Sequence, residues 1–342
     1  LRIATELTRP QPLHVALALQ LVFEAGNPAA SGHAYAASLP APDAPALWPA
    51  EALAALAGTR THAAVLARRG FVHTVHEALF GAGGGIPRER FAWALAVVLS
   101  RALSGTGAPY TLVPAVDLLN HGDTPTVAHS FHADEFVVTT LRPHARGEQL
   151  LLSYGAGLCN DRTLRLYGFA TRSNPHDAAM LPPPWPAPSA SDPLAAHKAH
   201  WLSRDDVAAA PAAGAWWSAE ADAAPVPVRG AGDGEALLAA LRVMHAAPED
   251  LPAPPQLPPP PLDASRPLNA RNEAAARESL ARAARAAMAR YPSTLAQTER
   301  ALAEPAGDDN PIAARRLRAA LAVRAGEQRA LDAVLRCAES KA

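Results

Sequence analysis

Two stretches decide how this chain is read: Leu112–His121, LVPAVDLLNH, and Leu151–Phe169, LLSYGAGLCNDRTLRLYGF. In each, a strand-like apolar run stops abruptly at residues able to do chemistry. These are Asp117, Asn120 and His121 in the first stretch, and Tyr154 and Tyr167 in the second. Apolar runs bounded by Gly, Asn and Ser are the pattern of short strands closed by turns. The two stretches therefore deliver a carboxylate, an amide, an imidazole and two phenols at places where the backbone changes direction.

Upstream, Arg90–Leu103 (RFAWALAVVLSRAL) has a helical pattern closing on Ser100-Arg101, and Gly147–Tyr154 reads as a strand ending at the tyrosine. The constellation resembles SET-domain protein methyltransferases of the Rubisco large-subunit lysine methyltransferase type. The resemblance is spread over most of residues 1–177. Beyond about residue 235 it is fainter: ALLAALRVMHAAPEDL (Ala236–Leu251) and RRLRAALAVRAGEQRALDAVL (Arg315–Leu335) are similar to the opening and closing helices of the family's substrate-binding domain. The resemblance implies an α+β fold in which a SET-domain β-core at 1–177 carries a helical insertion at about 11–104. A Pro-rich linker and the start of a second domain follow at 178–234, then a helical substrate-binding domain at 235–342.

Carried over position by position, the resemblance implies S-adenosylmethionine as cofactor. Arg101 would hold its carboxylate, Asn120 and His121 would contact its amino and adenine groups, and Asp117, one helical turn before His121, would brace the segment. Tyr154 would be the catalytic residue and Tyr167, Phe169 and Ser153 substrate-binding residues, the two rings lining a lysine channel and Ser153 with Gly155 allowing the sharp turn beside it. Methyl transfer from a sulfonium to an amine is an in-line displacement that needs alignment and a neutral nitrogen, not a nucleophilic side chain. A free lysine has a pKa of about 10.4, and an apolar channel lowers it by penalising the charged form. The function implied is an S-adenosylmethionine-dependent protein-lysine N-methyltransferase, whose partner is a protein presenting a lysine. Two alternatives stay open: a protein-histidine N-methyltransferase, and a catalytically inactive SET-fold protein-binding module. Retention of Tyr154, Asn120 and His121 favours activity, and apolar Leu103 and Val116 are expected to shape the channel for an aliphatic amine.

Each residue taken alone has a plainer reading. Arg101 is a cation at a helix end, Asn120-His121 a common turn pair, and a buried tyrosine usually belongs to a core. Joint occurrence in this order, closed by Tyr167-Gly168-Phe169, outweighs those readings. Asp117 and Phe169 gain least, since a brace and a core aromatic account for them almost as well.

Composition agrees. A chain of 342 residues with 49% hydrophobic content suits two domains. A formal net charge of −1 provides no global positive field, which disfavours nucleic acid or an anionic membrane as partner. Cys159 and Cys337 are too few and too separated for a disulfide framework or a four-ligand zinc site. A reducing compartment, cytoplasm or chloroplast stroma, is expected rather than secretion. No apolar run reaches the roughly 18 to 20 residues that cross a bilayer. No metal site is expected, since the pair His73 and His76, next to Glu77, has no further ligand evident nearby, and without a nucleophile elbow hydrolase readings have no foothold.

The thirty-four prolines concentrate in Leu181–Pro193 and Leu251–Pro267, which read as extended linkers or loops. Gly81–Gly85 reads as a flexible connection between helices. Leu13, Leu17 and Leu21 mark a face of a first helix, and Val65, Val72, Val75 and Leu79 a face of a second. Val127–Phe131 and Phe136–Leu141 form a hairpin pattern around Ala133-Asp134. Asn272–Arg290, rich in alanine, predicts a helix of strong propensity and modest burial. Asp309 or Asn310 caps another with Pro311 in its first turn, running to about Ala338 and compatible with either self-association or packing inside its domain. The family's opening Gly-x-Gly strand has no counterpart before Leu1-Arg2-Ile3. On that reading this chain binds S-adenosylmethionine poorly and an N-terminally extended form binds it well.

Overall fold

The computed structural model describes residues 13–81, 85–105, 108–132, 135–185, 191–202, 226–251, 262–305 and 310–340. The opening residues, most of the glycine run after Gly81, the Ala133-Asp134 turn, Asp309 and much of both proline-rich stretches lie outside the described residues. By its internal contacts the chain divides into two compact units. The first is Leu1–Ala54 with Thr61–Ala170, the second Ala55–Arg60 with Thr171–Ala342.

The first unit opens with helices α1 (Leu13–Gly26), α2 (His33–Ser38), α3 (Ala50–Ala54), α4 (Arg60–Phe80) and α5 (Arg88–Arg101). Its core forms where α5 presents Phe91, Ala94, Leu95 and Val98, spaced for one helical face, to Val15, Ala18, Leu21 and Val22 of α1. The buried stripe of α1 is therefore not Leu13-Leu17-Leu21. Leu13 is exposed and Leu17 only partly covered, because several faces of this helix are apolar and α5 selects the one with small Ala18 at its centre. Val65 and Val72 of α4 are buried, and Val75 and Leu79 pack partly against the same core.

After α5 the chain turns to short strands: β1 (Leu103–Gly105), β2 (Ala108–Thr111), β3 (Asn120–His121), β4 (Val127–Phe131), β5 (Phe136–Thr140) and β6 (Leu151–Leu152). Strands β4 and β5 form the hairpin read from the sequence, in register Val127↔Thr140 to Phe131↔Phe136, with the Phe131 and Phe136 rings edge to face at 4.7 Å. Strands β3 and β6 pair in parallel, Asn120 opposite Leu151 and His121 opposite Leu152, so the two diagnostic stretches lie side by side. Helix α6 (Asn160–Tyr167) follows and ends at Gly168 in the left-handed conformation, φ +80°.

The second unit holds β7 (Ala179–Leu181), α7 (Ala195–Leu202), β8 (Val226–Val228), α8 (Ala231–Met244), α9 (Ala270–Met288), α10 (Leu295–Ala303) and α11 (Pro311–Glu339). Residues 178–234 thus contribute an antiparallel strand pair, Ala179↔Val228 to Leu181↔Val226, whose side chains join Leu237, Leu241, Leu280 and Leu331 in one core. Helix α9 is more buried than its composition suggests. Ala276, Ala281, Ala283, Ala284 and Ala287 are covered because their small side chains admit α8 and α11 at close range. Asn269 caps α9 by accepting from the Asn272 amide at 2.9 Å, and Thr294 with Gln297 forms a capping box on α10. Asn310 caps α11, accepting from the Ala313 amide at 3.0 Å ahead of Pro311. No described helix is long and apolar enough to cross a membrane.

Candidate active site

The site grows from the parallel pairing of β3 with β6. Beyond the pair, the Gly122 amide donates to the Leu152 carbonyl at 3.1 Å and the Thr126 amide to that of Leu151 at 2.8 Å. The Leu151 amide in turn donates to Thr126 Oγ1 at 2.9 Å. This ladder fixes the ends of both strands, where the chemistry-bearing residues emerge. Leu152 is buried while Ser153 is exposed, as strand alternation requires, and the chain then turns at Gly155 with φ +147°.

Tyr154 is bonded twice across this junction. Its amide donates to His121 Nδ1 at 3.2 Å and its hydroxyl to the Leu119 carbonyl at 2.6 Å. Its ring lies 5.3 Å from that of His121 and 4.6 Å from that of Tyr167, and Tyr167 and His121 are 6.2 and 6.0 Å from Phe169. The four rings form a continuous aromatic wall. Burial raises the Tyr154 hydroxyl above the usual phenol pKa, Tyr167 and Asp117 add to the rise, and the charge of Arg101 opposes it. Tyr154 is therefore a neutral hydroxyl at physiological pH.

The second wall comes from the end of α5. Arg101 closes that helix and donates from Nη1 to the Asp117 carbonyl at 2.6 Å. Asp117 lies in a 3-10 turn, Val116–Leu118, entered through Ala115 at φ +69°. The chain then extends at Leu119, so Asp117 is not one helical turn from His121 but lies in a separate turn. Its side chain is buried and accepts a hydrogen bond from the Tyr35 hydroxyl, whose pKa is raised by burial and by that carboxylate. Asp117 Oδ1 and Arg101 Nε are both buried and have no hydrogen-bond partner among the described residues.

Arg101, Asp117, Asn120, His121, Tyr154, Tyr167 and Phe169 all line one cavity of about 430 Å³, closed on another side by Pro40–Ala44. Asn120 is exposed there and makes no side-chain hydrogen bond among the described residues. Ser153 is not among the lining residues; its hydroxyl accepts from the Gly155 amide at 3.3 Å and shapes the turn. Leu103 and Val116 do not line the cavity either. Tyr35, the Leu119 carbonyl and the Pro40–Ala44 wall escaped the sequence reading: a tyrosine 82 residues from its carboxylate partner carries no local signal. His76 donates from Nε2 to the Ile86 carbonyl at 2.7 Å, and no described group of three His, Cys, Asp or Glu residues could hold a metal ion.

Comparison with known proteins adds the following. Residues 189–331 match the family model for the Rubisco LSMT substrate-binding domain. No curated protein matches in sequence. Among solved structures, the SET domain of LSMT bound to lysine and AdoHcy superposes with a TM-score of 0.66 at 19% identity, covering 99% of this chain and 77% of that one. Rubisco LSMT bound to AdoMet gives a TM-score of 0.68 at 20% identity, and bound to sinefungin and monomethyllysine 0.68 at 21%, with the same coverage. The fold is therefore that of the LSMT structures, an α+β SET-domain core followed by a mostly helical region.

Proposed function

Starting from a chain with the SET-domain fold of LSMT and a C-terminal match to its substrate-binding domain, we propose that this protein is an S-adenosylmethionine-dependent protein-lysine N-methyltransferase. The observation that carries the reading is the single cavity in which one wall is charged and the other aromatic. The LSMT structures hold AdoMet, lysine and monomethyllysine, ligands with the chemistry those two walls complement.

The charged wall fits the cofactor's amino-acid end. Arg101 supplies a guanidinium for a carboxylate, and the unpartnered Asp117 Oδ1 an acceptor for an ammonium. Exposed Asn120 is free to meet its polar groups further along, with the His121 ring beside it. A volume of about 430 Å³ lies within the range of about 300–1,000 Å³ typical of small-molecule sites. Bound there, the cofactor supplies a methyl group on a positively charged sulfur.

The aromatic wall serves the acceptor. Tyr154, Tyr167 and Phe169 exclude water from an entering side chain, which disfavours its ammonium form and lowers its pKa. Their ring faces also stabilise the positive charge that grows on nitrogen as the new N–C bond forms and the C–S bond breaks. The Tyr154 hydroxyl already donates its proton to Leu119, so its oxygen is available to accept an amine N–H and aim the nitrogen lone pair. The Leu119 carbonyl is a second acceptor at the same place. In this reading Tyr167 and Phe169 wall the channel and the helical C-terminal region receives a protein substrate, which the match to the Rubisco LSMT substrate-binding model supports.

The test is transfer of label from methyl-labelled S-adenosylmethionine to protein in a cell extract, with Tyr154→Phe beside the wild type. Labelling is expected to fall by about two orders of magnitude in the variant, the scale of losing one positioned hydroxyl. Mass spectrometry of the labelled protein is expected to place the methyl on a lysine. A histidine adduct would overturn the acceptor assignment. S-adenosylmethionine binding without any transfer would leave the protein a binding module.

A further inference from the structure

A second cavity, of about 510 Å³, lies in the first unit between α4, α5, α6 and the 3-10 turn Pro45–Leu47. Its floor is apolar, made by Val72 of α4 and by Leu95 and Leu99 of α5, with Leu47 and Leu166. Its charged lining is one-sided: Arg68, Arg69, Arg88 and Arg165 against a single Glu89.

These arginines are not equivalent. Arg69 is committed to the fold, donating to the backbone carbonyls of Ala46 and Trp48. Arg88 is exposed and touches His73 and Glu89. Arg165 leans on Asp161 at 3.4 Å, a carboxylate that already accepts from Thr61 at 2.8 Å, and its Nε is buried with no partner among the described residues. Arg68 makes no hydrogen bond or ion pair among the described residues. Burial and the nearby charge of Arg165 both pull its pKa down, and its own charge adds to the depression that burial causes at His14. Arg68 and Arg165 line the same apolar-floored cavity, close enough for the charge of one to disfavour that of the other; Arg68 is unpaired among the described residues and Arg165 has a buried idle donor, so an anion bound there would relieve both.

We propose that this cavity binds a small amphipathic oxyanion, a carboxylate or phosphate monoester with an apolar body, held by Arg68 and Arg165 with the α5 face covering its chain. Planar guanidinium forks match the geometry of both headgroups, and the volume suits one small molecule. The site is distinct from the aromatic cavity but shares Ala44 and Leu166 with it, and Tyr167 follows on the same helix. The inference does not rest on the methyltransferase reading.

Calorimetric titration with octyl phosphate, octanoate and inorganic phosphate tests it, each amphiphile kept below its micelle concentration. At least one amphiphile is expected to bind with a Kd below about 1 mM and at least tenfold more tightly than inorganic phosphate. The tighter of the two amphiphiles identifies the headgroup. Arg68→Gln is expected to weaken binding tenfold or more. Arg68→Glu is expected to abolish it while leaving Tm equal or higher, since the new carboxylate answers Arg165. That variant therefore separates loss of a site from loss of the fold. No binding by either amphiphile, equal affinity for inorganic phosphate, or full affinity in Arg68→Gln would overturn the proposal.

Discussion

Gly168 should tolerate no side chain, and the cost of adding one can be worked from its surroundings. It ends α6 at φ +80°, where a residue with a Cβ loses about 1 kcal/mol or more. A Cβ built there would also lie 2.7 Å from the Asp43 carbonyl oxygen and 2.9 Å from its carbon. That segment cannot retreat easily, because buried Trp48 donates from Nε1 to the Asp43 carbonyl at 3.0 Å and to its side chain at 3.1 Å. Overpacking of this kind costs about 1–3 kcal/mol, so Gly168→Ala should destabilise the first unit by about 2–4 kcal/mol. At about 2–4 °C per kcal/mol for a unit of this size, its melting transition should fall by roughly 5–15 °C. Gly168→Asn separates the two contributions, since Asn accepts the left-handed conformation but keeps the Cβ; its loss should fall between wild type and Ala. Differential scanning calorimetry, with hydrogen exchange reporting on residues 43–48 and 160–169, reads both. An Ala variant within about 0.5 kcal/mol of wild type would refute the argument.

Three further outcomes follow from the second unit. Glu273 accepts from Arg242 at 2.6 and 3.0 Å with both side chains buried, and those hydrogen bonds hold its carboxyl below the usual range against the opposing effect of burial. A depressed folded pKa gives stability that is present above the unfolded value of about 4.3 and lost as pH falls through the folded one. Acid titration followed by circular dichroism should therefore show a steeper loss below about pH 4 in wild type than in Glu273→Gln, and parallel curves would contradict the pairing. Arg242→Met removes one of the two arginines on that carboxylate, leaving Arg277 at 2.5 Å, and should cost about 2–3 kcal/mol in urea denaturation. Gly326→Ala, in mid-helix of α11, should destabilise by about 2 kcal/mol or more although alanine favours helices, because its Cβ would meet the Asp177 carboxylate at 2.0 Å and the Asp177 Cβ at 2.9 Å. In an Asp177→Ala background the same change should become neutral or stabilising by up to about 1 kcal/mol, and an unchanged penalty there would show the clash is not with Asp177.

The seven residues that meet in the aromatic and charged cavity were legible through the family resemblance, and most stand at or beside the end of a short element. Arg101 closes an amphipathic helix, His121 ends β3, Tyr154 follows β6, and Tyr167 precedes a capping glycine. Tyr35 had no such marker: its role depends on α2 reaching Asp117, a tertiary contact that no spacing encodes. Strand alternation puts Ser153 on the far side from Leu152, where its hydroxyl accepts from the Gly155 amide in the turn and does not line the cavity. The face of α1 and the depth of α9 were misjudged for a shared reason. Leucine counting marks large side chains, whereas Ala18 and the alanines of α9 are buried because they are small enough to let helices close.

The ladder between Asn120-His121 and Leu151-Leu152 is only two residues long on each side, and parallel. Parallel pairing across some thirty residues closes a loop before it returns any packing energy, which is entropically slow. The helices of the first unit need no such closure to form, since their hydrogen bonds join residues only four apart. During refolding, helical signal in the first unit should thus recover ahead of the contact between His121 and Tyr154, and an early species would hold helix yet no pocket.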